Sequence, residues 1–203
     1  MIKLYSGTPG SGKSLHMARV IYNRIKYNKD VIANFEINSD AIKSKKKGKF
    51  VYIDNMQLSP IHLIKYAQEF WGDKKIIEGK LLLVIDECQI LFNSRNWNQV
   101  NRNAWLSFFT QHRKFGYDIV LVTQFDRMID RQIRSLIEYE DIHRKVNNYG
   151  LVGKILGFLC GGSLFVAVNM WYPMHERLSA EFFIAHKKYF SIYNTYKMFS
   201  VPG

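Results

Sequence analysis

Gly7-Thr8-Pro9-Gly10-Ser11-Gly12-Lys13-Ser14 fills every fixed position of the phosphate-binding loop pattern G-x-x-x-x-G-K-S/T. Ahead of it runs the apolar stretch Ile2 to Tyr5. Behind it Leu15, Ala18, Ile21, Tyr22 and Ile25 recur at helical spacing, so the loop joins a strand to a helix, the context the pattern requires. Glycines at this spacing let successive backbone N–H groups converge on phosphate oxygens at the positive end of the helix. Gly7, Thr8, Pro9, Gly10, Ser11, Gly12, Lys13, Ser14 and Leu15 are therefore the expected nucleotide-binding segment. Lys13 is expected to reach the outer phosphates and the Ser14 hydroxyl to hold Mg²⁺, which makes ATP and Mg²⁺ the expected cofactors. A chance glycine-rich turn is the plainer alternative, and the flanking strand and helix argue against it.

A second element lies downstream. Leu81 to Ile85 is a continuous aliphatic run, as expected of a central parallel strand buried on both faces, and it ends in Asp86-Glu87. Paired with the loop, Asp86 is expected to hold Mg²⁺ and Glu87 to orient and deprotonate the attacking water. Gln111 to Tyr117 is a basic helix end stopped by Gly116. The aliphatic strand Ile119 to Val122 follows and ends in Thr123-Gln124 beside the acidic strand, where Gln124 would sense the γ-phosphate. Arg113, before this strand, is a candidate to stabilise transition-state charge in a neighbouring subunit, and Arg95, in the polar loop after the acids, either braces that loop or reaches a neighbouring subunit's nucleotide. His112 reads as a helix-surface residue rather than a base.

These elements define an α/β fold: a P-loop NTPase with a mostly parallel central sheet flanked by helices, plus a small C-terminal β-rich extension. Residues 1–150 form the expected ATPase core and 151–203 an extension that packs on the core or lies near a membrane. A chain of 203 residues, 47% hydrophobic, suffices for one sizeable core. Its 29 basic against 17 acidic side chains give +12, which suits a polyanionic partner, either nucleic acid or an anionic membrane face. Cys88 and Cys160 fit neither a disulfide framework nor a zinc site, and a reducing compartment is expected. The residues ahead of the loop leave no room for a signal peptide, so export is not expected.

The remaining stretches read as architecture. Val31 to Phe35 is a second strand that closes a strand-helix-strand unit around the loop, and Lys43 to Lys49 is a basic run read as a solvated loop. Phe50 to Ile53 is a short strand, and Ile61 to Trp71 a helix with Ile61, Ile64, Tyr66 and Phe70 near one face. Trp105, Phe108 and Phe109 form the apolar face of another helix. Asp130 to Ile137 reads as an amphipathic basic helix with Arg127, Arg131 and Arg134 interleaved, either a solvated flank or a subunit contact or nucleotide-proximal arginine. Ile155 to Tyr172 carries no charged side chain, which sits at the lower limit for a membrane span. Its glycines and the strand formers Leu164 to Val168 favour a short apolar helix, a turn and a strand, with Phe182 to Ile184 as the strand's partner. The aromatic tail Tyr189 to Phe199 is expected to cover a sheet edge or lie on a membrane.

Taken in order, the loop, Leu-Leu-Leu-Val-Ile-Asp-Glu-Cys with Phe92-Asn93-Ser94-Arg95-Asn96-Trp97, and His112 to Ile119 running into Thr123-Gln124 resemble the Zot-type assembly ATPases of filamentous phages. Ile129 to Arg134 and Tyr193-Asn194-Thr195-Tyr196 extend the likeness over most of the chain. The resemblance implies an ATPase on the cytoplasmic face of the host inner membrane. There it would drive extrusion of phage with its single-stranded DNA, together with coat protein and an outer-membrane channel. It also implies a homo-oligomer, expected to be a ring. In the family the anchor usually follows the Tyr193 to Tyr196 segment, so the sequence is either the cytoplasmic part of a longer protein or Ile155 to Tyr172 is the anchor.

Two other functions fit the residues. A DNA-translocating or packaging ATPase shares the chemistry and differs in what it moves. A nucleotide-gated membrane scaffold would bind ATP without turnover, against which the Asp86-Glu87 pair argues.

Overall fold

The computed structural model describes residues 1–93 and 99–193. In chain order the elements are β1 (Ile2–Ser6), α1 (Lys13–Lys26), β2 (Asp30–Ala33), β3 (Phe50–Tyr52), α2 (Pro60–Trp71), β4 (Leu81–Ile85) and α3 (Gln99–Gln111). They continue with β5 (Tyr117–Val122), α4 (Arg131–Arg134), β6 (Tyr139–Lys145), α5 (Gly150–Leu159), β7 (Leu164–Trp171), β8 (Glu176–Ile184) and α6 (Lys187–Phe190). Arg95, Trp97 and Asn194-Thr195-Tyr196 lie outside the described residues.

All eight strands form one sheet in the order β3-β2-β4-β5-β1-β6-β7-β8. From β3 through β6 every pairing is parallel, and β7 and β8 add antiparallel to β6. The uncharged stretch from Ile155 thus resolves into the end of α5, a glycine turn and β7, with β8 as its partner. Among the described residues no helix is long and apolar enough to cross a membrane.

Strand periodicity divides the core between two faces. Leu81, Leu83 and Ile85 of β4 face one layer with Ile32, Ile119 and Leu121, covered by Leu63, Ala67 and Trp71 of α2 and by Trp105, Phe108 and Phe109 of α3. Leu82 and Val84 face the other with Val31, Val120 and Val122, covered by Leu15, Ala18, Ile21 and Ile25 of α1. β4 is buried at every residue because both layers close on it. Each large side chain so buried contributes about 1.5–3 kcal/mol.

The strand-helix-strand unit forms as expected, with β4 and β5 inserted between β1 and β2 in the sheet. Several expectations are corrected. On α2 the face packed into the core is Pro60, Leu63, Ala67 and Trp71, whereas Ile61 is solvent-exposed. Ile64, Tyr66 and Phe70 pack half-buried against the same core, so of the expected face only Ile61 points out to solvent. The expected basic helix at Asp130 to Ile137 is a single turn, α4, capped by Asp130 Oδ1 accepting from Gln132 N–H at 2.7 Å. Ile133 and Ile137 are buried nonetheless.

His112 is buried, not on the surface. Its Nδ1–H donates to the Phe109 carbonyl at 2.6 Å, and its Nε2 accepts from the Met1 ammonium at 2.8 Å. The chain then turns at Gly116 (φ 79°), where a Cβ would lie 2.7 Å from the Trp71 ring.

Candidate functional site

Because β1, β5 and β4 are adjacent and parallel, their C-terminal tips lie along one edge. The registers Tyr5↔Val122 and Ile85↔Leu121 bring Ser6, Thr123 and Asp86 into line there. β1 feeds the loop, β5 feeds Gln124, and β4 feeds Asp86-Glu87.

The loop is closely fitted to its surroundings. Gly7 (φ 140°) donates its N–H to the Gln124 carbonyl at 3.2 Å, and a Cβ there would lie 2.5 Å from the His143 carbonyl oxygen. Gly12 (φ 99°) opens α1, and a Cβ there would meet the Phe165 ring at 2.6 Å. Thr8, Pro9 and Gly10 are exposed at the crest, Ser14 is half-buried, and Leu15 anchors the helix in the core. Ser11 Oγ is buried without a hydrogen-bond partner, a polar atom inside the loop left for a ligand or solvent. Lys13 Nζ folds back onto the loop's own carbonyls, Gly7 O at 2.5 Å and Thr8 O at 3.2 Å. Burial lowers its pKa, and the nearby Glu87 and Asp86 charges oppose that shift, so one lysine and two carboxylates share the edge.

Asp86 is held from behind by a residue the sequence reading did not select. Asn34, just past β2, accepts from Asp86 N–H at 2.8 Å and donates to Asp86 C=O at 2.9 Å and to Asn55 Oδ1 at 2.9 Å. All three residues are buried. A polar residue at the tip of a fully buried strand was the available signal, but the strand order that sets β2 beside β4 was not readable.

The Asp86 carboxylate accepts from Glu87 N–H at 2.9 Å and from the Tyr193 hydroxyl at 2.9 Å. Burial pushes its pKa up to about 6, against the pull of the Tyr193 hydrogen bond. Tyr193 therefore belongs to the site. Tyr189 packs edge-on against Tyr22 of α1 and Tyr193 against Phe35, so this part of the aromatic tail lies over the α1 side of the sheet and not along its edge.

Glu87 sits at φ 46°, ψ 45°, a left-handed conformation that costs a non-glycine residue about 1–2 kcal/mol. Its carboxylate accepts from Gln89 Nε2 at 2.5 Å. Gln124 is half-buried beside a cavity of about 400 Å³ lined by Ser6, Gly7, Thr8 and Glu140.

Arg113 is not brought to this edge. It precedes β5 at the opposite rim of the sheet and pairs with Glu138 at 2.6 Å. Arg95 falls outside the described residues.

Behind the loop, His143 Nδ1–H donates to Ser6 O at 3.1 Å, leaving its Nε2 to accept from His16 Nδ1–H at 2.8 Å. Burial, first among the causes, holds both imidazoles well below their usual pKa, so both are neutral.

The residues fit a Mg²⁺-nucleotide. A hydroxyl and a carboxylate offer hard oxygen donors, and such sites take one or two protein ligands plus substrate phosphates. Among the described residues no group of three or more His, Cys, Asp or Glu could hold a metal ion by itself.

Loop, acid pair and strand order together define a P-loop NTPase fold. Solved structures share it, among them the N-terminal domain of zonular occludens toxin from Neisseria meningitidis (TM-score 0.59, 18% identity, 95% of this chain and 98% of that one). A genome packaging NTPase, B204 from Sulfolobus turreted icosahedral virus 2, solved with ATP-γS, also aligns (TM-score 0.54, 13% identity, 89% and 95%).

The chain belongs to the zonular occludens toxin (Zot) family, whose profile it matches over residues 1–172. It is 27% identical to the Gene 1 protein of Enterobacteria phage M13 over 169 residues, 78% of this chain and 47% of that protein. It is 35% identical to the Gene 1 protein of Enterobacteria phage I2-2 over 86 residues, 41% and 24%. The chain thus spans at most about half the length of these relatives.

Proposed function

We propose that this chain is the ATP-hydrolysing part of a machine that assembles and extrudes filamentous phage at the host inner membrane. The observation that carries the reading is the convergence of the phosphate-binding loop, Gln124 and Asp86-Glu87 on one edge of three adjacent strands. Membership of the Zot family and the Gene 1 relatives supply the phage context.

In this reading the loop N–H groups and Lys13 bind the phosphates, with Lys13 exchanging its loop carbonyls for them. Ser14 and Asp86 hold Mg²⁺, which supplies charge neutralisation at the phosphates. Glu87 takes the proton of the attacking water, and Gln124, one strand away, contacts the terminal phosphate. Oligomerisation into a ring would bring an arginine from a neighbour. Arg95 is the better candidate, since Arg113 is engaged by Glu138 at the far rim.

The test is phosphate release from Mg²⁺-ATP by wild type and Glu87→Gln over a protein concentration series. Release that rises more than linearly with concentration and disappears in Glu87→Gln, with ATP still bound, is expected. Tight binding without turnover under every assembly condition would favour the nucleotide-gated scaffold. Stimulation by single-stranded DNA but not by coat protein would favour a DNA-translocating ATPase.

A further inference from the structure

α5 is apolar on the wrong side for a helix of a folded domain. Its buried residues are Gly153 and Gly157, which sit tightly on the turn after β6: a Cβ on Gly153 would meet the Val146 carbonyl oxygen and one on Gly157 the Asn147 side chain. Leu151, Val152, Ile155, Leu156, Phe158 and Leu159 fill the opposite arc, and all are exposed, Phe158 to 82% and Leu151 and Leu159 to 74%. At 100° per residue these side chains span nearly half the helix circumference. Phe182 of β8 is a further exposed aromatic. It pairs across the strands with Val166 of the small cluster under α5 and is 63% exposed.

The orientation is fixed rather than incidental. Asn147 donates to Gly162 O at 2.9 Å and accepts from Leu164 N–H at 3.0 Å, clamping the turn at the helix's far end. A contiguous apolar surface of this kind is a contact surface.

Charge indicates what it contacts. From Ile142 to His175, and again from Phe182 to Tyr193, the chain has no carboxylate side chain, while Arg144, Lys145, Lys154, Lys187 and Lys188 lie within these two segments. The segments are neighbours, since Ile184 at the end of β8 pairs with Leu164 just after the glycine turn. An apolar face whose flanking chain segments carry cations and no carboxylate complements an anionic bilayer. A second copy would present the same positive rim and a net charge of +12. Ten residues of helix make about 15 Å, half the hydrocarbon thickness, so α5 cannot span and must lie flat.

We propose that α5 is an interfacial membrane-docking helix that dips its Leu151-to-Leu159 face between the acyl chains of an anionic leaflet. It would thereby set the nucleotide-binding edge against the membrane. This deepens the proposed membrane location but does not depend on ATP hydrolysis, so either can fail alone.

The test is flotation of the protein with vesicles of phosphatidylcholine alone or with about a third phosphatidylglycerol. Wild type is expected to float with the anionic vesicles. Removing one exposed large apolar side chain, as in Phe158→Ser or Leu159→Ser, should weaken partitioning roughly tenfold. Lys154→Glu with Lys187→Glu should abolish the preference for anionic lipid. Because all four side chains are exposed, circular dichroism and ATP binding should be unchanged. In Phe158→Trp the indole emission should shift blue with anionic vesicles and be quenched by lipids labelled just below the headgroups. Failure of wild type to float, Ser variants that float equally well, or indole emission indifferent to vesicles would overturn the proposal.

Discussion

Replacing Asn34 by alanine is expected to destabilise the fold strongly. The side chain is 2% exposed and makes three hydrogen bonds: one accepted from Asp86 N–H, one donated to Asp86 C=O and one donated to Asn55 Oδ1. Alanine leaves three buried partners unsatisfied, each at about 1–3 kcal/mol. The Asn55 amide can rotate toward other partners, which brings the expected total to about 3–5 kcal/mol. With an m-value of roughly 2–3 kcal/mol/M, the urea midpoint should fall by roughly 1–2 M. In a chain of this size the melting temperature should drop by about 6–20 °C. Asn55→Ala is the control: it removes the outer bond and leaves both bonds to Asp86, so about 1 kcal/mol should be lost. The reasoning fails if Asn34→Ala lies within about 1 kcal/mol of wild type, or if Asn55→Ala costs as much.

Other substitutions test other parts of the site. Gly12→Ala must place a methyl group 2.6 Å from the Phe165 ring at φ 99°, and nucleotide affinity should fall at least tenfold; unchanged affinity in an isothermal titration would show the loop accommodates the methyl. Tyr193→Phe deletes a hydrogen bond to a carboxylate, so stability should drop by roughly 1–2 kcal/mol in urea unfolding. Mg²⁺-nucleotide affinity should hold or rise, because an Asp86 oxygen is freed, and a weaker affinity would contradict this. The neutral pair His16 and His143 makes stability pH-dependent with a definite sign. Both pKa values are depressed by burial, so the unfolded chain takes up protons below about pH 6.5 while the native one does not. Stability present above that pH is lost as pH falls, by at most about 1.4 kcal/mol per pH unit for each imidazole. His143→Gln retains groups to bond both Ser6 O and His16, and it should lower the slope between about pH 6 and 5 by up to about 1.4 kcal/mol per pH unit, the share of one imidazole; an unaltered slope would assign the dependence elsewhere.

Much of the fold was legible because its strongest signals are local. The loop pattern, the aliphatic runs of β4 and β5, and the glycines that break Ile155 to Tyr172 each sit within a few residues, and each led to the observed element. Misreadings came where tertiary contacts decide. His112 looks like a surface residue of a basic helix end until the Met1 ammonium arrives from the far end of the chain. Ile61 satisfies the helical stripe of Ile64, Tyr66 and Phe70, yet it points to solvent at the stripe's outer end. Asn34 and Tyr193 gave no sign of touching the acid pair, because the contacts to Asp86 span 52 residues from Asn34 and 107 from Tyr193. The loop and acid residues of the site could be found by type and spacing, whereas the residues that hold them required the strand order.

That strand order also dictates when the protein can begin to fold during synthesis. β1 is made long before both its sheet neighbours, β5 from Tyr117 and β6 from Tyr139. At about 5–20 residues per second, a ribosome delivers them on the order of ten seconds after β1. Through that interval Ile2 and Leu4 have no strand to pair with and the phosphate-binding loop has no floor. Until then the nascent chain carries an apolar strand without a partner, a natural client for a chaperone. The first moment at which nucleotide can bind is set by the emergence of β6, long after its binding loop has left the ribosome.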